Sequence, residues 1–264
     1  MSFVFSGLLY FSGIFFLAAC AVRAARYARA PLHLRWEIYP VPARHSLDEA
    51  RVMGAEMLFL KGLWEFNRKL WLRSLLFHWG LYLTAATMPL LWIGYRPLYL
   101  ATGIVGCVFV IGGASALLAG RLTDPKLRVY NTPADLFNLV FFIAVFALLA
   151  AGYYVEGVHV RAMAASLLRF HAVVVPPLFG AGLALGALLA AYIPCTHMAH
   201  FIAKYFTYHA VRWDERAMTE GGLARRFAEY LTYRPTWAAR HVGADGSKTW
   251  VDIATSNPAA GGKQ

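Results

Sequence analysis

Long apolar runs alternate with short polar segments along most of the chain. Five of these runs have at least the ~20 residues that an α-helix needs to cross the hydrocarbon core of a bilayer. They occupy residues 3–22, 70–93, 98–120, 136–155 and 172–201. The pattern predicts an all-α, polytopic membrane bundle of five transmembrane helices within residues 1–203. A polar tail at residues 204–264, partly disordered towards its end, follows the bundle.

A polar insert at residues 31–69 separates the first two predicted spans. Pro40 and Pro42 interrupt any helix at its start, and the Ser-Leu-Asp-Glu sequence at 46–49 is a capping box that begins a new one. The residues that follow have an amphipathic pattern. The insert is therefore predicted to be either a helix at the membrane interface or a docking surface for a cytoplasmic subunit.

Composition supports the membrane class and changes how the charge is interpreted. The chain is 59% hydrophobic and 15% charged, whereas soluble domains average about 45–50% and about 25%. A net charge of +11 then reflects topology rather than nucleic-acid binding. The cysteines stand singly in apolar spans, which argues against an iron–sulfur cluster held by this chain.

Lysine and arginine are distributed unevenly between the two predicted sides. Segments assigned to the inside hold ten of them between Arg23 and Arg73, three in the loop at 121–135 and nine in the tail. Segments assigned to the outside hold three, namely Arg96, Arg161 and Arg169. By the positive-inside rule, the N-terminus lies outside and the C-terminus in the cytoplasm, across the cell inner membrane. The first run lacks a basic N-terminal region, so we expect a membrane helix rather than a signal peptide.

Three histidines, His78, His197 and His200, lie within or at the rim of the predicted spans. Histidine at such a position is costly in lipid unless something binds it. His78 lies about eight residues into the second span, or ~12 Å at ~1.5 Å per residue, and His200 ends the antiparallel fifth span at the same inner face.

Two imidazoles at matching depth can ligate a haem iron from both faces, an arrangement that suits electron transfer. The alternative is that His78 and His200 only hydrogen-bond each other or the backbone. Arg73 and Lys204 are placed to meet haem propionates, and His197 is the reserve ligand.

The chain resembles the gamma subunit of respiratory nitrate reductase, a five-helix cytochrome b. The resemblance lies in LLFHWGLYL around His78, RLTDPKLRVYNTPADLFNLV before the fourth span and IPCTHMAHF around His200. Three further segments are similar to the cytochrome b subunits of heterodisulfide-reductase-type complexes and their dissimilatory-sulfite-reductase-linked relatives. They are RWEIYPVP, AKYFTYHAVRWDE and GSKTWVDIATSNP.

The resemblance also suggests how many haems to expect. The nitrate reductase subunit holds two b haems with two histidines on each of two helices, and its second pair corresponds here to Met88 and Gly182. One haem b, between His78 and His200, is therefore implied. A second haem, through His171 and Met88, remains open.

The same family exchanges electrons with a lipid-soluble quinone. A menaquinone-like headgroup is expected near Met88 and Gly182, where the glycines of the fifth span leave room. Alternatively, these glycines serve only to pack helices.

The function implied is electron transfer between a quinone pool and a cytoplasmic iron–sulfur protein of the heterodisulfide-reductase type, with no catalytic residue in this chain. One alternative is the gamma subunit of a nitrate-reductase-type molybdenum enzyme. Another is a haem-free membrane anchor or transporter whose histidines serve protons or metal ions.

Overall fold

The computed structural model describes residues 2–29, 47–129, 131–171, 173–207, 222–236 and 246–255. All regular elements within these ranges are helices. They are α1 Ser2–Arg29, α2 Leu47–Phe59, α3 Lys61–Phe66, α4 Arg68–Ile93, α5 Arg96–Thr123, α6 Pro125–Arg128, α7 Pro133–Glu156, α8 Val160–Leu168, α9 Pro177–Tyr192, α10 His200–Thr207, α11 Gly222–Leu231 and α12 Trp250–Thr255.

Five helices are long and apolar enough to cross a membrane: α1, α4, α5, α7 and α9 with the 3₁₀ turn that extends it to Cys195. The predicted all-α membrane bundle is thus confirmed, and the protein is a multi-pass membrane protein. The fifth span is shorter than its apolar run, because it begins at Pro177 and ends where Thr196 adopts an extended backbone. His197 and His200 therefore lie beyond the span rather than inside it.

Glycines bring α4 and α5 into close contact. A Cβ at Gly80 would lie 2.5 Å from the amide nitrogen of Val110, and one at Gly113 would lie 2.5 Å from that of Phe77. Small residues at such positions let helix backbones approach in lipid, where hydrophobic burial does not drive association. Gly113 has this packing role, whereas the adjacent Gly112 faces open space.

Glycines also bring α7 and α9 into close contact. A Cβ at Gly182 would lie 2.8 Å from the amide nitrogen of Leu149, and Gly152 meets the backbone of Phe179. α5 packs on α7 and so joins the two helix pairs. The buried core runs through this row of helices and comprises Phe77, Val110, Ala114, Leu139, Phe142, Val145 and Leu189.

Polar contacts near both ends attach α1 to the other helices of the bundle. The hydroxyl of Tyr10 donates to the carbonyl of Leu167, and Nη1 of Arg23 donates to the carbonyl of Thr196 at 2.9 Å. Much of the apolar surface of α1 is exposed, as expected for a lipid-facing helix.

The end of α2 lies against α4. The carbonyls of residues 57, 58 and 59 accept hydrogen bonds of 2.8–2.9 Å from Tyr82, Trp79 and Trp71. The last carbonyls of a helix have no partner within it, and these side-chain donors supply one. These bonds hold the end of α2 against α4; the interfacial helix and the docking surface both stay predictions for the insert. Pro40, Pro42 and Ser46 lie outside the described residues.

The chain divides into two compact units, residues 1–25 with 47–202 and residues 26–46 with 203–264. The first contains the membrane helices. In the second, the amide of Trp250 donates to the carbonyl of Tyr233 and links α12 to the end of α11. The predicted disorder towards the end of the tail concerns residues 256–264, which lie outside the described ranges.

Leucine at Gly113 should destabilise the bundle, whereas leucine at the adjacent Gly112 should be tolerated. The Cβ at Gly113 would collide with the backbone of Phe77, but a Cβ at Gly112 has no atom within 4 Å. Overpacking of this kind costs about 1–3 kcal/mol. Thermal unfolding of both variants in detergent measures the difference. Equal unfolding midpoints would contradict the close α4–α5 contact.

Candidate functional site

His78 is positioned by the packing of α4 on α5. Its neighbour Phe77 is buried against Gly113, so the side chain of His78 leaves the helix about 100° away from that contact. Nδ1 of His78 lies 2.7 Å from the carbonyl oxygen of Ser74, one turn earlier. A proton on Nδ1 makes this hydrogen bond and directs the lone pair of Nε2 towards a second partner.

His200 is brought to His78 by an interruption of the helix after the fifth span. Thr196 is extended, and its hydroxyl accepts a hydrogen bond from the amide of Met198, which starts the 3₁₀ turn His197–Ala199. Ala199 is fully buried and anchors this turn, and His200 begins α10. The rings of His78 and His200 have centroids 6.1 Å apart and planes at 72°.

The separation of the two rings fits a metal between them. An imidazole nitrogen binds a first-row metal at about 2 Å, which puts the ring centres of two opposed ligands about 6 Å apart. The described residues contain no group of three or more His, Cys, Asp or Glu side chains able to hold an ion. A pair of imidazoles would suit a metal whose other positions are filled by a macrocycle, such as haem.

Arg73 lies on the same helix, five residues before His78. Its guanidinium lies where a side chain on the buried Gly120 of α5 would stand. It makes no hydrogen bond or ion pair with any part of the chain that the structure describes. A half-buried guanidinium without a partner is a suitable donor for a carboxylate, as the propionate prediction requires.

Lys204 and His171 are less informative. Lys204 lies one turn after His200 in α10 and belongs to the second compact unit. His171 is exposed between α8 and α9, and Pro177 starts α9 after it, so α9 does not extend to His171. Their roles at the propionates and at a second haem stay predictions.

His197, the predicted reserve ligand, has partners on α7. Its Nε2 lies 3.4 Å from Oδ1 of Asp135 and 3.4 Å from Nδ2 of Asn138, and its side chain is 60% exposed. Asp135 also closes a capping box with Thr132 at the start of α7. Sequence reasoning missed these partners, although an asparagine inside the apolar run of α7 was a visible signal.

Met88 and Gly182 lie on different helices, and no described contact joins them. Met88 is 60% exposed on α4, whereas Gly182 is buried against the backbone of α7. The contact of Gly182 supports the packing alternative for that glycine. A quinone position near these residues stays a prediction.

Comparisons with known proteins leave the family open. No family model matches the chain, and no curated protein matches it significantly. The resemblance to cytochrome b subunits therefore depends on the quoted segments. Of these, RWEIYPVP lies outside the described residues, while the segments around His78 and His200 form the site just described.

Asn138 carries a buried oxygen, Oδ1, without a hydrogen-bond partner among the described residues. Such a group costs about 1–3 kcal/mol, so Asn138→Leu should keep or raise the midpoint of thermal unfolding. Asn131→Leu is the control, because its amide makes two bonds with Arg121, of 2.9 and 2.7 Å, and its loss should lower the midpoint. A clear loss of stability on adding Asn138→Leu to a His197→Ala background, where the contact of Nδ2 with His197 is already absent, would contradict the absence of a partner for Oδ1.

Proposed function

We propose that the protein is a haem b membrane subunit that transfers electrons between a quinone pool and a cytoplasmic iron–sulfur partner of the heterodisulfide-reductase type. The observation that carries the proposal is the pair of imidazoles, 6.1 Å apart between centroids, that α4 and α10 contribute to the end of a membrane bundle. The resemblance in the segments around both histidines supports the same conclusion.

A pair of imidazole ligands favours electron transfer over the binding of oxygen or substrate at the metal. When bound, haem supplies reversible one-electron chemistry through its iron. His78 and His200 would hold the haem through its iron, and two imidazole ligands suit electron transfer. The bond from Nδ1 of His78 to the carbonyl of Ser74 fixes the ring orientation and increases the basicity of Nε2.

Arg73 would neutralise a propionate at the inner edge of the bundle. It is half-buried, it has no partner among the described residues, and it precedes His78 by about 7.5 Å along the helix at ~1.5 Å per residue. A cation close to the cofactor also favours the reduced state, because it stabilises added negative charge.

The distribution of Lys and Arg supports an orientation with His78 and His200 near the cytoplasm. A cofactor at that face serves a cytoplasmic partner better than an external one. The basic inner loop, which includes α6 Pro125–Arg128, and the tail are the proposed docking elements. A quinone would approach from the lipid along the exposed surface of α4 around Met88.

The optical spectrum of the purified protein tests the haem. Dithionite should produce a b-type band that disappears in His78→Ala and in His200→Ala but persists in His197→Ala, since His197 faces Asp135 instead. Far-ultraviolet circular dichroism checks that each variant keeps its helices. A wild-type protein without the band would exclude haem and favour the anchor or transporter. Loss of the band only in His197→Ala would show that His197, and not His78 or His200, binds the haem.

The quinone half of the proposal is tested on the same preparation with a menaquinol analogue in place of dithionite. Reduction of the band by the quinol is the expected result. A band that dithionite reduces and the quinol does not would contradict quinone coupling while leaving the haem intact.

A further inference from the structure

A cavity of about 440 Å³ lies at the end of α4 away from His78. It is bounded by the start of α5, the end of α7 and α8. Its polar lining consists of two guanidiniums, one imidazole and two phenols, from Arg96, Arg161, His159, Tyr99 and Tyr153. The rest of the wall is apolar, as at Leu100. The volume lies within the ~300–1,000 Å³ of typical ligand sites.

The charged side chains of this cavity have no partners among the residues that the structure describes. The side chains of Arg96, His159 and Arg161 make no hydrogen bond or ion pair with the described residues. The lining contains no carboxylate. The nearby Glu156 is occupied elsewhere, since its two oxygens accept the amides of Leu178 and Phe179 at 2.9 and 2.8 Å. The cavity therefore has an uncompensated positive charge.

The backbone at the end of α4 leaves space for the guanidinium of Arg161. Gly94 ends α4 with a φ of +78°, and the guanidinium of Arg161 occupies the space where its side chain would stand. Tyr99 is only 8% exposed, yet its hydroxyl makes no hydrogen bond within the described residues. The hydroxyl is not among the buried polar atoms without a partner, so it is open to the cavity, where it can donate to a ligand that accepts hydrogen bonds.

The two arginines of the cavity come from distant positions in the sequence. Only three of the 25 Lys and Arg residues lie in the predicted outer segments. Two of these three, Arg96 and Arg161, are brought to one cavity from positions 65 residues apart. The third, Arg169, does not line it.

We propose that this cavity binds the phosphate of an anionic phospholipid of the outer leaflet. Guanidiniums bind phosphate through paired, charge-assisted hydrogen bonds. The cavity lies where two membrane helices end, so the phosphate meets the charged wall while the glycerol and acyl chains follow Leu100 towards lipid. The site is independent of the proposed haem.

The test compares the full-length protein in nanodiscs of phosphatidylglycerol and of phosphatidylcholine. Phosphatidylglycerol should raise the midpoint of thermal unfolding by about 5 °C relative to phosphatidylcholine, because it binds the folded state. Arg96→Gln and Arg161→Gln should lose most of this increase. Arg169→Gln is the matched control, since it removes an outer arginine that does not line the cavity, and it should keep the increase.

Three results would overturn the proposal. They are equal midpoints in the two lipids, an increase that survives Arg96→Gln, and an increase reproduced in phosphatidylcholine by inorganic phosphate alone, which would assign the site to a free anion. Arg161 also packs against Gly94, so Arg161→Gln can disturb folding as well as the cavity. If Arg161→Gln fails to fold, the result for Arg96→Gln decides the test. Any b-type spectrum of the wild type should be unchanged in Arg96→Gln, so the lipid and haem proposals can fail separately.

Discussion

The backbones of α4 and α5 touch at Gly80 and Gly113, and this contact fixes the rotation of α4 about its own axis. With Phe77 turned into the core, His78 must leave the helix towards its flank. The carbonyl of Ser74 then sets the orientation of the imidazole. The candidate site thus depends on a contact that contains no functional group. A side chain at Gly113 would separate the helices and move His78 with α4.

The second half of the site depends on where the fifth span ends. On a continuous helix, His197 and His200 would share one face, since residues three apart are neighbours. The extended backbone of Thr196 and the short turn after it remove this relation. His197 meets Asp135 on α7, whereas His200 reaches His78 on α4. A single interruption of the helix at Thr196 therefore gives two nearby histidines different partners.

The fold could be predicted from the sequence because lipid allows few solutions for backbone polar groups, and apolar runs of sufficient length must become helices. The glycines likewise indicated close packing. The end of the fifth span was misjudged, since apolar composition continues past Thr196 while the helix does not. The meeting of distant segments, as where Arg96 and Arg161 line one cavity, has no periodic signal in the sequence. Cofactor and partner identity depended on resemblance, because two histidines at one depth are compatible with several ligands.

The axial ligand set of the oxidised protein is the most direct test of the central claim that His78 and His200 bind one haem. Near-infrared magnetic circular dichroism, together with electron paramagnetic resonance, identifies such ligands, and a pyridine haemochrome assay counts haem per chain. The account predicts one low-spin haem per chain with two imidazole ligands. A histidine–methionine signature, a high-spin iron or a protein without haem would contradict it.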